Sequence, residues 1–96
     1  MSEIGAMLDQ LYDVIIERRD APRDGSYTNY LLERGVDKIC KKIGEESTEV
    51  VIAAKNDNRS ELVYEIADLL YHLNVLMVNQ GVTLDEVEKE LRSRRK

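Results

Sequence analysis

The fold of this chain is decided by Glu-Glu-Ser-Thr-Glu at positions 45–49 and Glu-Ile-Ala-Asp at positions 65–68. Each stretch holds two carboxylates three residues apart inside an apolar pattern of helical spacing, so both acids lie on one side of a helix. Two such helices packed antiparallel would bring together four carboxylates, Glu46, Glu49, Glu65 and Asp68. A cluster of this kind repels itself and calls for a hard cation. The pattern therefore predicts a Mg²⁺ site, with Mn²⁺ as the alternative ion, and nucleotide phosphate chemistry.

Length and composition narrow the class of protein. The chain has 96 residues, so we expect one domain over residues 1–96, and one small enough to gain from homodimerisation. Its net charge of −5 argues against a nucleic-acid binder. The longest apolar runs are too short to span a membrane. The single Cys40 excludes an internal disulfide and suits a reducing compartment, which predicts a cytoplasmic protein.

The apolar periodicity predicts an all-α fold, a four- to five-helix bundle completed by homodimerisation, with no strand. Thr28 is a plausible N-cap of the short second helix, and Gly35 and Gly81 are helix stops. Thr83 and Glu86 have the spacing of a capping box. The predicted helices cover residues 2–19, 28–33, 36–56, 59–79 and 84–93.

Helical wheels place both acidic rows at the border between core and solvent. In the third helix the apolar arc is predicted to contain Val36, Ile39, Cys40, Ile43, Val50, Val51 and Ala54. In the fourth it contains Leu62, Ile66, Leu69, Leu70, Leu73, Leu76 and Met77. The opposite face of the fourth helix is also largely apolar, with Val63 and Tyr64 among its residues. A helix that is apolar on nearly all sides is buried on nearly all sides, which favours covering by a second copy.

Other interpretations remain open at this point. Glu45, Glu46 and Glu49 are also spaced to pair with nearby lysines on an exposed helix face. A di-iron bundle is a rival metal centre, but that class uses Glu-x-x-His, and the fourth position here is Asp68. His72, one turn beyond, is either a half-buried polar residue at a helix interface, a partner that orients Asp68, or a direct ligand.

The two acidic pairs resemble the metal motif of the all-α nucleotide pyrophosphohydrolases, the MazG-like superfamily. The longer match is to the phosphoribosyl-ATP pyrophosphohydrolase family. The segments that carry this resemblance are 26–28, 31–35, 41–55 and 65–73, within a similarity over about residues 11–91. The resemblance implies Mg²⁺-dependent hydrolysis of phosphoribosyl-ATP between its α and β phosphates, the second step of histidine biosynthesis. It also implies metal ligation by Glu46, Glu49, Glu65 and Asp68. With one cysteine and an end at Lys96, the chain is interpreted as a stand-alone enzyme.

A substrate with several negative charges needs local cations in an acidic protein. Lys42 shares the flank of the acidic row, and Lys38 lies one turn before it. A loop between the first two helices could close over the phosphates or the second ribose with hydroxyl donors. Glu45 is either an ion-pair partner or an alternative base that activates water. The expected substrate-binding residues are Lys42, Lys38, Arg18, Arg19, Ser26, Tyr27, Thr28 and His72, with Arg23 beside the same loop.

Two other functions share parts of this pattern. A house-cleaning pyrophosphohydrolase of nucleoside triphosphates would use the same kind of carboxylate metal site but a different pocket for the base and the ribose. A helical dimer that serves as an interaction module would keep the acidic faces solvated and would release no pyrophosphate from any nucleotide.

Overall fold

The computed structural model describes residues 1–95 of the chain. Within these residues there are five α-helices and no strand, so the prediction of an all-α fold is confirmed. Their bounds differ from the expected ones by at most two residues. The helices are α1 (Ile4–Asp20), α2 (Tyr27–Arg34), α3 (Val36–Lys55), α4 (Arg59–Gln80) and α5 (Leu84–Ser93).

Local sequence signals account for the helix ends. Gly35 and Gly81 have φ values of 86° and 71°, in the left-handed region that glycine adopts without strain. Asn58 caps α4 by accepting a hydrogen bond from the Glu61 N–H. Thr83 and Glu86 form both hydrogen bonds of the predicted capping box at the start of α5.

The predicted N-cap of α2 was wrong by two residues. Ser26, not Thr28, caps this helix, and its hydroxyl accepts a hydrogen bond from the Asn29 N–H. Thr28 instead lies in the first turn and exchanges a hydrogen bond with the hydroxyl of Tyr71 in α4. A contact with a distant helix therefore determines the role of Thr28.

An antiparallel hairpin of α3 and α4 is the centre of the fold, and α1 and α2 pack against it. The buried core joins one side chain from each of α1, α2 and α3 with two from α4: Ile15, Leu31, Ile39, Val75 and Val78. These positions lie in the first half of α3 and the second half of α4. The connected end of the hairpin therefore extends beyond the part that α1 and α2 cover. None of the helices in residues 1–95 is both long and apolar enough to cross a membrane.

Part of the predicted core was wrong for a single copy of the chain. Val36, Cys40, Val51 and Ala54 of α3 and Ile66 of α4 are exposed to solvent. Val51, Ala54 and Ile66 lie toward the connected end of the hairpin, where neither α1 nor α2 reaches. The predicted arc of α3 also left out Ala53, which is buried, and it included Val36 and Cys40, which are exposed in the first half of the helix. Periodicity alone does not show how far the covering helices extend.

Candidate active site

The antiparallel hairpin brings the two acidic rows face to face at the edge of the core. Glu46 from α3 and Asp68 and His72 from α4 each place one ligand atom within 4.8 Å of the others. Glu46 retains only 7% of its surface, and Asp68 is partly exposed. These residues are close because the short turn between α3 and α4 places position 46 opposite position 68.

Glu65, one turn before Asp68 on α4, lies outside this 4.8 Å group but is also buried. It too retains 7% of its surface. Burial raises the pKa of Glu65, and repulsion from Glu46, Glu49, Glu61 and Asp68 raises it further. Among residues 1–95, no lysine, arginine or histidine nitrogen lies within 4 Å of the Glu65 carboxylate. Glu49 is exposed and lies outside the 4.8 Å group, but its charge acts on Glu65. The cluster thus holds more negative charge than its neighbours compensate.

Lys42 is the cation that faces this cluster. Its Nζ lies 3.5 Å from a carboxylate oxygen of Glu45 and 3.5 Å from one of Glu46. Burial lowers the pKa of Lys42, but Tyr27, Glu46 and Glu45 together raise it above its usual value, so the ammonium stays charged. Glu45 is half exposed and shares this cation with Glu46, as expected for an ion-pair partner.

His72 is more deeply buried than the sequence indicated. The expectation of a half-buried residue was wrong: only 1% of its surface is exposed. Its Nδ1 lies 2.8 Å from the backbone carbonyl oxygen of Asp68, which can only accept, so Nδ1 carries the proton. Nε2 is then an acceptor, 2.9 Å from the Tyr27 hydroxyl that donates to it. Both ring nitrogens thus have oxygen partners, and His72 holds Tyr27 against α4.

An aromatic layer fixes the start of α2 on α4 beside the carboxylates. The Tyr27 ring stacks on Tyr30 and on Tyr71, with ring centroids 6.1 Å apart in both pairs. The edge of His72 meets Tyr27 at 5.7 Å. Burial raises the pKa of Tyr27, while the positive charge of Lys42 opposes the shift. Sequence reasoning missed Tyr30 and Arg34, although the spacing Tyr27, Tyr30, Arg34 on one helix face was a readable signal.

The expected loop residues are held mainly by local contacts. Arg18 and Arg23 each contact Glu17, at 3.2 and 3.3 Å, and Arg19 contacts Asp20 at 3.0 Å. These contacts pair the three guanidinium groups near the end of α1. Ser26 is occupied as the cap of α2. Lys38 lies elsewhere, with its Nζ 5.9 Å from the centroid of the Tyr30 ring.

An all-α hairpin with facing carboxylates is what the resemblance in sequence implied. The family model described as phosphoribosyl-ATP pyrophosphohydrolase matches residues 8–95. The chain therefore belongs to the phosphoribosyl-ATP pyrophosphohydrolase family.

Named relatives agree with this assignment. A phosphoribosyl-ATP pyrophosphatase of Clostridium botulinum strain Hall is 56% identical over 89 residues, which cover 93% of this chain and 81% of the relative. One from Bacillus cytotoxicus is 58% identical over 88 residues, covering 92% of this chain and 82% of the relative. The histidine biosynthesis bifunctional protein HisIE of Thermoanaerobacter pseudethanolicus is 54% identical over 89 residues, 93% of this chain but 41% of that protein.

Proposed function

We propose that this chain hydrolyses phosphoribosyl-ATP to phosphoribosyl-AMP and pyrophosphate, the second step of histidine biosynthesis. Family membership and the names of the relatives support this substrate. The observation that carries the proposal is the buried, cation-poor carboxylate cluster on α3 and α4. We place the reaction in the cytoplasm, where an exposed thiol such as Cys40 stays reduced.

The cluster is suited to a divalent cation. The raised pKa of Glu65 reflects burial and the repulsion of neighbouring carboxylates, and a bound cation would relieve both. An all-oxygen donor set favours Mg²⁺ or Mn²⁺. We assign its binding to Glu46, Glu49, Glu65 and Asp68. When bound, such an ion offsets charge on the phosphate oxygens and lowers the pKa of water. Glu45 remains the alternative base for the attacking water.

The side chains around the cluster would orient the triphosphate. Lys42 lies against Glu45 and Glu46 at the edge of the cluster, so its ammonium is close enough to the metal ligands to bind a phosphate oxygen of the same substrate. His72 holds the Tyr27 hydroxyl and so positions the aromatic layer at this edge. Ser26 and Thr28 support the same segment through the cap and the contact with Tyr71. Arg18 and Arg19 would reach substrate only by giving up their pairs with Glu17 and Asp20.

We also propose a homodimer, formed through the connected end of the α3–α4 hairpin. Its apolar residues are Val51, Ile52, Val63, Tyr64 and Ile66, with Val63 and Tyr64 exposed at 62% and 66%. A second copy would remove this apolar surface from water. Sedimentation at micromolar concentration would give the mass of two chains, and a monomer would contradict the proposal.

A substrate comparison tests the function directly. Pyrophosphate release is measured with phosphoribosyl-ATP, ATP and deoxynucleoside triphosphates, each with Mg²⁺. The proposal expects phosphoribosyl-ATP to be the preferred substrate by kcat/KM. Preference for simple triphosphates would favour a house-cleaning pyrophosphohydrolase. Absence of pyrophosphate release from every nucleotide would favour an interaction module.

A further inference from the structure

Within residues 1–95, one cluster of cations has no carboxylate oxygen close enough to form an ion pair. Arg34 at the end of α2 and Lys38 and Lys41 in α3 line one recess together with Asp37. Among residues 1–95, none of the three has a carboxylate oxygen within 4 Å, whereas most other arginines do. The paired arginines are Arg18, Arg19, Arg23, Arg92 and Arg94. Three positive groups and one negative group leave this recess locally positive in a chain of net charge −5.

Two of these cations contact the ring of Tyr30. The Arg34 guanidinium carbon lies 5.6 Å from the centroid of the Tyr30 ring, and the Lys38 Nζ lies 5.9 Å from it. Arg34 also donates a hydrogen bond to the Tyr30 hydroxyl at 3.2 Å. Cation–π contacts of this kind orient the charges without neutralising them. Arg34 and Lys38 also line the same recess as Lys41, so this excess of positive charge favours an anion there.

The order of groups along this edge matches the order of groups in the proposed substrate. At one end, Lys42 contacts Glu46 of the carboxylate cluster. Outward from this cluster, Tyr27 contacts His72 and stacks on Tyr30, and Arg34 and Lys38 lie against the Tyr30 ring. Both tyrosines are partly exposed, which leaves aromatic surface available to a base. Phosphoribosyl-ATP carries a triphosphate on one side of its adenine and, through the ribose on N1, a 5′-phosphate on the other. Its two anionic ends therefore flank an aromatic base, as the two cationic groups of the protein flank an aromatic pair.

We infer that Arg34, Lys38 and Lys41 form a second anion site, which binds the 5′-phosphate of the N1-linked ribose. This inference rests on the proposed function. It moves Lys38 from the triphosphate, where the sequence placed it, to the opposite end of the substrate. The arginine can bind a phosphate monoester through two N–H groups at once, and the two lysines add compact positive charges. The site would distinguish phosphoribosyl-ATP from ATP, which has no phosphate on that side of the base.

Kinetics with two substrates test this inference. Arg34→Gln and Lys38→Met are compared with wild type and with Lys55→Met. Lys55 is an exposed lysine at the end of α3, and no carboxylate oxygen of residues 1–95 lies within 4 Å of its ammonium. The substrates are phosphoribosyl-ATP and N1-ribosyl-ATP, which lacks the 5′-phosphate. We expect each site variant to lower kcat/KM for phosphoribosyl-ATP by about tenfold or more, chiefly through KM, because each removes a charge-assisted hydrogen bond. For wild type, kcat/KM should be lower with N1-ribosyl-ATP than with phosphoribosyl-ATP by at least the same factor. With N1-ribosyl-ATP the variants should have the same kcat/KM as wild type.

Other outcomes separate the two proposals. If wild type releases no pyrophosphate from phosphoribosyl-ATP, the proposed function fails and this site fails with it. If wild type is active but both site variants match Lys55→Met, the second anion site alone is overturned. An equal loss on both substrates would also overturn it, because the cations would then act on the triphosphate. Helical circular dichroism and the thermal midpoint of each variant exclude loss of folding as the cause.

Discussion

Acidic residues have opposite surroundings in α5 and in the α3–α4 hairpin. In α5, Glu88 and Glu90 are exposed and contact Arg92 and Arg94, four residues later, at 2.7 and 2.9 Å. Each pair lies in water and holds its own countercharge. Such pairs add a few tenths of a kcal/mol to helix stability, about 0.3–0.5 kcal/mol each.

The acids of the hairpin are compensated only in part, since Glu45 and Glu46 share one lysine. Glu46 and Glu65 are buried, and repulsion among the carboxylates adds to burial in raising the pKa of Glu65. Lys42 is the cation within 4 Å of Glu46 among residues 1–95. Composition alone does not separate the two regions, since both are rich in Glu. Burial together with a deficit of countercharge is the reason for proposing the binding site in the hairpin rather than in α5.

The largest expected effect is at a proposed metal ligand. Asp68→Asn keeps the shape of the side chain and removes its charge. Because loss of a residue that only hydrogen-bonds to a metal ligand already lowers activity by up to about a hundredfold, we expect loss of a ligand itself to lower Mg²⁺-dependent turnover by at least that factor. Pyrophosphate release measures this loss, and circular dichroism checks that the helices persist. Glu90→Gln in α5 is the matched control and should retain wild-type turnover. Wild-type turnover by Asp68→Asn would remove the distinction between the two regions.

Lys42 is a sharper test, because its contact with Glu46 has the same i, i+4 spacing as the pairs in α5. We expect Lys42→Met to raise KM or lower kcat by about tenfold, since a charged hydrogen-bond donor to phosphate is lost. Lys55→Met is the control lysine of the same helix. If Lys42→Met changes the thermal midpoint but neither kinetic constant, Lys42 is a stabilising pair of the α5 kind.

Glu65→Gln should increase stability while it disables the site. The folded protein raises the pKa of Glu65 above its ordinary value of 4.5, so it holds this proton more tightly than the unfolded chain. The contribution of Glu65 to the free energy of unfolding therefore falls as the pH rises from about 4.5 through the raised pKa of the folded state. At pH 7 without metal, the charge of Glu65 is destabilising. We expect the variant to melt a few degrees higher than wild type in EDTA at pH 7, and at nearly the same temperature at pH 4.

Added Mg²⁺ should then raise the melting temperature of wild type more than that of Glu65→Gln, since a ligand stabilises only the state that binds it. A lower melting temperature for the variant in EDTA at pH 7 would show that the carboxylate is stabilising, as in α5.

The smallest effect is expected in α5 itself. Arg94→Gln removes an exposed ion pair and should lower the free energy of unfolding by no more than about 0.5 kcal/mol, with kinetic constants unchanged. Urea unfolding measures the difference, and high salt should reduce it. A loss of several kcal/mol, or a change in kcat, would mean that α5 is more closely coupled to the site than its exposure indicates.

Local patterns made much of this molecule predictable. The helix ends at Gly35 and Gly81 were predictable, as was the capping box at Thr83. Each depends only on residues within one helical turn of each other. The facing of Glu46 and Asp68 was also accessible, because a short connection between two long helices determines which positions meet.

Features that depend on long-range packing were not predictable in the same way. The hydrogen bond from Tyr27 to His72 joins residues 45 positions apart and exists only because α2 lies across α4. For the same reason Thr28 was assigned to a cap that Ser26 provides. The exposure of Val51 and Ile66 depends on where α1 and α2 end, which no periodicity in α3 or α4 records.

Removal of the divalent cation tests the central claim most directly. Wild-type enzyme is stripped with EDTA, freed of the chelator and assayed with phosphoribosyl-ATP while Mg²⁺ is added back. We predict no detectable release of pyrophosphate in the stripped enzyme and full recovery with Mg²⁺, with phosphoribosyl-AMP and pyrophosphate formed in equal amounts. Turnover that is the same with and without Mg²⁺ would contradict the assignment of the hairpin carboxylates to a metal.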